Sequence, residues 1–144
     1  MIQNENNIVR PNKVSIAVKL LWITIVVGII RSIIELPNTL EVLIEQGFYF
    51  GLAIGFVIFT AFISLAIISF FIYMIGKGKN WARIIFLVLF IIGIPFSILP
   101  LVQSLMANPI SGIIAIGQTI LQIVALVLLF QKSSSDWFKL MKTK

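Results

Sequence analysis

Residues 48–75 read FYFGLAIGFVIFTAFISLAIISFFIYMI, carry no charged side chain, and run into Gly76-Lys77-Gly78-Lys79. About 20 apolar residues are enough to cross the hydrocarbon core of a bilayer. This stretch exceeds that length, so it reads as a transmembrane helix that tilts or protrudes, closed by a tight basic turn. Three further apolar segments flank it, at about 14–36, 81–105 and 112–130. The chain has 144 residues, of which 60% are hydrophobic and 11% charged, with a mean hydropathy of +1.12. A soluble domain carries roughly 25% charged residues. The pattern therefore predicts an all-α integral membrane protein, a four-transmembrane-helix bundle formed by one membrane domain over residues 11–131.

Charge sets the expected orientation. Of the eleven basic residues, ten fall on one side of the four-segment pattern. Arg10, Lys13 and Lys19 precede or open the first segment. Lys77, Lys79 and Arg83 lie between the second and third, and Lys132, Lys139, Lys142 and Lys144 follow the fourth. The other two connections have no basic residue, and Glu35, Glu41 and Glu45 cluster near one of them. Lys and Arg are retained on the cytoplasmic side during insertion, which predicts cytoplasmic N- and C-termini. The net charge of +6 is accounted for in this way. No contiguous basic face with interleaved aromatics points to nucleic acid.

Cysteine and histidine are absent, and Asp136 is the one aspartate. That removes thiolate chemistry, disulfides, the usual zinc ligands and a histidine base. No phosphate-binding loop, dinucleotide glycine pattern or nucleophile elbow occurs. No catalytic residue, metal or cofactor is expected, and the chain reads as a non-enzyme. The first apolar run is too long for a signal core and lacks a small-residue cleavage site, so it is expected to stay as an anchor.

Local signals subdivide the chain. Residues 1–10 are polar and Asn-rich and read as a disordered cytoplasmic terminus. Pro11 suits a first helical turn, and Pro37 is expected to stop the first helix. Asn38 and Glu41 have capping-box spacing, so residues 38–46 read as a separate short amphipathic helix on the outer surface, ended by Gly47. Asn80 is expected to cap segment three, with Trp81 at the interface and Arg83 snorkelling to it. Pro95 and Pro100 predict a kink or partial unwinding there. Residues 103–111 read as a short loop and 131–135 as a turn, with Ser133 and Asp136 at capping spacing. Residues 132–144 read as a cationic amphipathic tail lying on the inner membrane surface. A faint repeat aligns Ala17, Gly28 and Ser32 with Ala82, Gly93 and Ser97, and Ala53-Ile54-Gly55 with Ala115-Ile116-Gly117. Two pseudo-repeated helical hairpins would produce it.

Polar and small residues inside the spans are the candidate sites. Gln118 and Gln122, four apart with Thr119 beside them, share a helix face. An amide in hydrocarbon needs a partner, and Thr60, Ser64 and Thr24 are the candidates. The face is either interhelical glue or the lining of a substrate path. Arg31 and Glu35, also four apart, are expected to form an ion pair, or else a proton- or anion-responsive site open to the outside. Gly47, Gly51 and Gly55 recur every four residues, giving a helix-packing face for a neighbouring span or a second copy. Trp22 lies too deep for an interfacial belt and is expected to pack, with its N–H bonded to a neighbouring helix.

Arg10-Pro11, Leu20-Leu21-Trp22, the run Gly78-Lys79-Asn80-Trp81-Ala82-Arg83 and Trp137-Phe138 together resemble small four-helix inner-membrane proteins of bacteria. The resemblance implies a bacterial inner membrane and brings no activity with it. Two functional readings follow. One is a non-enzymatic membrane protein acting through helix–helix contacts with itself or with a membrane partner. The other is a small oligomeric transporter or channel with a polar path at Gln118 and Gln122. The second is similar to small multidrug transporters in size and span count, but its candidate carboxylate, Glu35, is peripheral and its charge bias opposes dual insertion.

Overall fold

The computed structural model describes residues 9–142. Most of the terminus expected to be disordered, residues 1–8, lies outside the described residues, as do residues 143–144. The described chain is helical: α1 (Asn12–Glu45), α2 (Phe50–Gly76), α3 (Asn80–Ala107), α4 (Pro109–Phe130) and the short α5 (Lys132–Lys142). The first four are each long and apolar enough to cross a membrane. The chain is a multi-pass membrane protein built as a helical bundle. Short turns join the spans, so sequential neighbours run antiparallel. α1 lies against α4 and α2, α3 lies against α4, and α2 touches α3 more sparingly.

Several boundaries differ from the sequence reading. α1 continues through Pro37 to Glu45, so residues 38–46 form no separate surface helix and the capping box at Asn38 does not exist. A proline removes one backbone hydrogen bond, and a membrane helix tolerates that loss when nearby hydroxyls and neighbours hold the backbone. The Thr39 hydroxyl donates to the Glu35 carbonyl at 3.0 Å beside the break. α3 likewise passes Pro95 and Pro100 without unwinding. It runs on to Ala107, so the expected loop at 103–111 shrinks to Asn108, whose side chain caps α4 by accepting from the Ser111 amide at 3.3 Å, with Pro109 in the first turn. Asn80 is the first residue of α3 rather than its cap. Lys132 opens α5 directly, leaving Ser133 with no capping role.

The core is concentrated at one end. Val14, Ala17 and Leu21 of α1, Ile72 and Ile75 of α2, Ala82 and Phe86 of α3, and Ala125, Leu126 and Leu129 of α4 are buried together with Trp137 and Phe138 of α5. This is the end that carries the basic turn at Lys77 and Lys79. Toward the other end the helices separate, and every residue from Ile91 to Pro100 is exposed. The internal repeat survives in part. Ala17 and Ala82 are both buried, as are Ala53 and Ala115. An axis relating the two hairpins would equate α1 against α4 with α3 against α2, yet the first contact is intimate and the second slack.

α5 closes the basic end. Its apolar face was expected to lie on lipid, but Trp137 and Phe138 are buried against the bundle. The helix ends there expose apolar side chains that need cover, and α5 is the adjacent apolar surface. Gly78 makes the approach feasible: it holds φ +78, and an added Cβ would sit 2.8 Å from Met141 Cγ. Arg83 fixes the arrangement. It is buried rather than snorkelling, donating to Asn80 Oδ1 at 2.7 Å, the Leu129 carbonyl at 2.9 Å and Ser135 Oγ at 3.2 Å. Its guanidinium also lies 4.4 Å from the Phe138 ring centroid and 4.9 Å from that of Phe130. Trp22, by contrast, faces outward at 43% exposure and makes no interhelical hydrogen bond among the described residues.

Arg83→Leu is expected to release α5 while the four long helices persist. Hydrogen bonds to charged groups contribute roughly 1.5–3 kcal/mol each at most, so the substitution should destabilise the docked tail by about 2–4 kcal/mol. Hydrogen exchange over residues 132–142 should rise sharply. Unchanged protection there would refute the pinning role.

Candidate functional site

Arg31 and Glu35 sit one turn apart on α1, in its half remote from the basic end. Both Nε and Nη2 of Arg31 donate to Glu35 Oε1, at 3.2 and 3.0 Å. Two hydroxyls complete the cluster. Ser104 Oγ of α3 donates to the same oxygen at 2.7 Å, and Ser111 Oγ of α4 does so at 2.6 Å. Arg31 Nη2 also reaches Ser104 Oγ at 3.5 Å. One carboxylate oxygen therefore ties α1 to α3 across the bundle and to the first turn of α4. Ser111 is fully buried, whereas the Arg31 and Glu35 side chains are each 24% exposed. The ion pair has the i, i+4 spacing anticipated for it. The serines had no comparable signal, because they come from separate helices.

The turn between α3 and α4 is shaped to deliver Ser111. Gly112 is buried against Leu105, and a Cβ there would lie only 2.9 Å from the Leu105 backbone Cα. A larger residue would push the start of α4 away from α3. The Asn108 cap and the bare Gly112 together hold the serine beneath the carboxylate.

Three clefts meet around this cluster. A polar recess of about 740 Å³ opens between the ends of α1 and α3 and is lined by Arg31, Glu35, Asn38, Gln103 and Asn108 among others. A cleft of about 580 Å³ runs between α1 and α2 from Glu35 down to Gln118 and Gln122. A third, of about 380 Å³, lies between α2, α3 and α4 and also reaches Gln118, Thr119 and Gln122.

The polar face expected in the membrane is thus assembled around these clefts. Thr24, Thr60, Ser64, Gln118 and Gln122 line the α1–α2 cleft, and Thr119 lines the third. Within this face, and among the described residues, one direct interhelical bond is made: Gln118 Nε2 donates to the Thr24 carbonyl at 3.1 Å. Gly28 gives the amide room, since a Cβ there would stand 3.0 Å from Nε2. The Thr24 hydroxyl bonds its own helix at the Leu21 carbonyl, 2.8 Å away, and Thr60 bonds the Phe56 and Val57 carbonyls at 2.9 and 3.1 Å. Thr119 donates to the Ala115 carbonyl at 2.9 Å. Neither Thr60 nor Ser64 bonds a glutamine, and the Gln122 amide has no hydrogen bond among the described residues. Of the partners expected from spacing, Thr24 meets Gln118, through its backbone carbonyl and not its hydroxyl.

The glycine face is also reduced. Gly47 lies in the turn before α2 with φ +92, and only Gly51 and Gly55 lie on that helix. A Cβ at either would meet nothing within 4 Å. Among the described residues no other span packs against Gly51 or Gly55.

The described residues contain no group of three or more His, Cys, Asp and Glu able to hold a metal ion. Comparisons of the chain with protein-family models, with curated proteins and with solved structures find no match.

Ser111→Ala should cost more stability than Ser104→Ala, because the Ser111 hydroxyl is wholly buried; about 1–3 kcal/mol is expected for the loss of its charge-assisted bond. Gln118→Leu should cost about 1 kcal/mol, and Gln122→Leu should be close to neutral. Thermal unfolding in a single detergent checks the ranking. Equal effects of the two glutamine substitutions would contradict the bonding pattern given above.

Proposed function

We propose that the protein is a non-enzymatic component of a bacterial inner membrane, with both termini cytoplasmic, that acts through helix–helix contacts with itself or with a membrane partner. The observation that carries this reading is the unoccupied small-residue face of α2. Gly51 and Gly55 adjoin no other part of the chain, and hardly any of the most apolar stretch of α2 is buried within the bundle. Apolar exposure costs nothing in lipid, but close glycine-mediated approach is a source of helix association that lipid cannot supply. The absence of cysteine and histidine from the sequence supports the non-enzymatic half of the reading, and the placement of ten basic residues supports the orientation.

A second reading, a small oligomeric transporter, draws support from the clefts that reach Gln118 and Gln122. Against it stands the packed core beneath them, to which Leu21, Ile72, Phe86 and Leu126 contribute. Transport would require those residues to part.

Energy transfer between labelled copies in liposomes tests the first reading. Self-association is expected, and Gly51→Leu combined with Gly55→Leu should weaken it at least about tenfold while helical content is retained. If copies do not associate, and crosslinking in native membranes captures no partner through α2, the reading fails. Solute flux in proteoliposomes that disappears when Gln118 and Gln122 are both replaced by Leu would instead favour transport.

A further inference from the structure

The recess and the α1–α2 cleft share Glu35, and of the two only the recess also has Arg31 in its wall. The recess presents a guanidinium, a carboxylate and the amides of Asn38, Gln103 and Asn108. The cleft below it is walled mainly by Ile25, Ile29 and Ile33 of α1 and by Ile58, Leu65 and Ile68 of α2, with the hydroxyls and amides already described, such as Thr60, Ser64 and Gln122, between them. A charged head compartment therefore opens onto a slot whose walls are mostly apolar. Along α1 the slot's lining runs from Thr39 to Thr24, and the part below Glu35, at 1.5 Å per residue, is about 16 Å. Half of a hydrocarbon core of about 30 Å is about 15 Å. The part of the slot below Glu35 has the length of one leaflet.

The hydrogen bonding at the head is one-sided. Both serines and both Arg31 nitrogens converge on Glu35 Oε1. Among the described residues Glu35 Oε2 and Arg31 Nη1 have no hydrogen-bond partner. Neither side chain is sealed, each being 24% exposed. The pair thus keeps one acceptor and one donor of opposite charge beside each other. A purely anionic or purely cationic ligand would match one and oppose the other. A head group that carries both a phosphate and a primary ammonium matches both: phosphate suits guanidinium N–H donors, and ammonium suits a carboxylate oxygen.

We propose that this composite cavity binds one aminophospholipid from the leaflet at the α1–α2 turn, with its phosphate at Arg31, its ammonium at Glu35 and one acyl chain in the α1–α2 slot. The inference is independent of whether the protein self-associates. The choline head group tests the ammonium contact, since its methylated nitrogen has no N–H to donate. The glycerol head group tests the charge, since it leaves Glu35 opposite an anion with no cation.

Native mass spectrometry of the full chain, released from vesicles of equal parts phosphatidylethanolamine, phosphatidylcholine and phosphatidylglycerol, reads the preference. The wild-type chain should retain one phosphatidylethanolamine at about tenfold preference over either competitor. Glu35→Gln keeps an oxygen for the serines but loses the charge, and should abolish the preference over phosphatidylcholine. Ala61→Phe fills the slot from α2 without touching the charged cluster; it should reduce retention of every lipid while the unfolding temperature stays unchanged. Retention without head-group preference in the wild-type chain would overturn the proposal, as would a preference over phosphatidylcholine that survives Glu35→Gln or a retention that Ala61→Phe leaves unchanged. Competition by free phosphoethanolamine as effective as by the intact lipid would overturn the acyl-chain contact and leave a head-group site alone.

Discussion

A polar group inside a bilayer has only protein to satisfy it, and this chain meets that demand at a few points. The most consequential is Glu35 Oε1. Four donors from three helices reach that one atom. Lipid on either side offers no substitute for Ser104 and Ser111, so loss of the carboxylate would leave two hydroxyls and a guanidinium to find partners elsewhere. The cluster therefore helps keep the remote ends of α1, α3 and α4 in register, in a region where the close Leu105–Gly112 contact is joined by few other buried apolar side chains.

The bundle is strongly asymmetric as a result. At the basic end it is held like a soluble core, by interdigitated apolar side chains from all five helices and by the buried guanidinium of Arg83. At the other end it is held by hydrogen bonds and leaves clefts between the helices. Dispersion contacts that would fill such clefts in a soluble core can be supplied here by acyl chains or by another helix. The open half is consequently where partners of any kind have access, and both the glycine pair on α2 and the charged pair on α1 lie there.

The sequence made the spans legible because hydropathy is a one-dimensional property, and the Arg31–Glu35 pair legible because i, i+4 spacing is local. Pro37 was misread as a stop because the rule applied to it comes from helices that compete with water for each freed carbonyl; in α1 that competition is weak and the helix continues. The apolar face at Trp137 and Phe138 was visible, but periodicity does not say which apolar surface will cover it, and the bundle itself does so instead of lipid. Ser104 and Ser111 were out of reach for a different reason. Their role depends on which helices lie diagonal and adjacent to α1, which no spacing within a single segment encodes. Asn108 and Pro109, three and two residues before Ser111, did carry a helix-start signal that would have located the serine in a first turn.

The central claim is that the Glu35 cluster, more than apolar packing, holds the open end together. The chain lacks cysteine, so spin labels can be placed singly at Gln46 and Ala107, on either side of the recess, and the distance between them measured by pulsed electron resonance in liposomes. A narrow distribution is expected in the wild-type background and a broad one with Glu35→Leu, while a control pair at Lys77 and Lys132 is unaffected. A Gln46–Ala107 distribution that stays equally narrow without the carboxylate would contradict the claim.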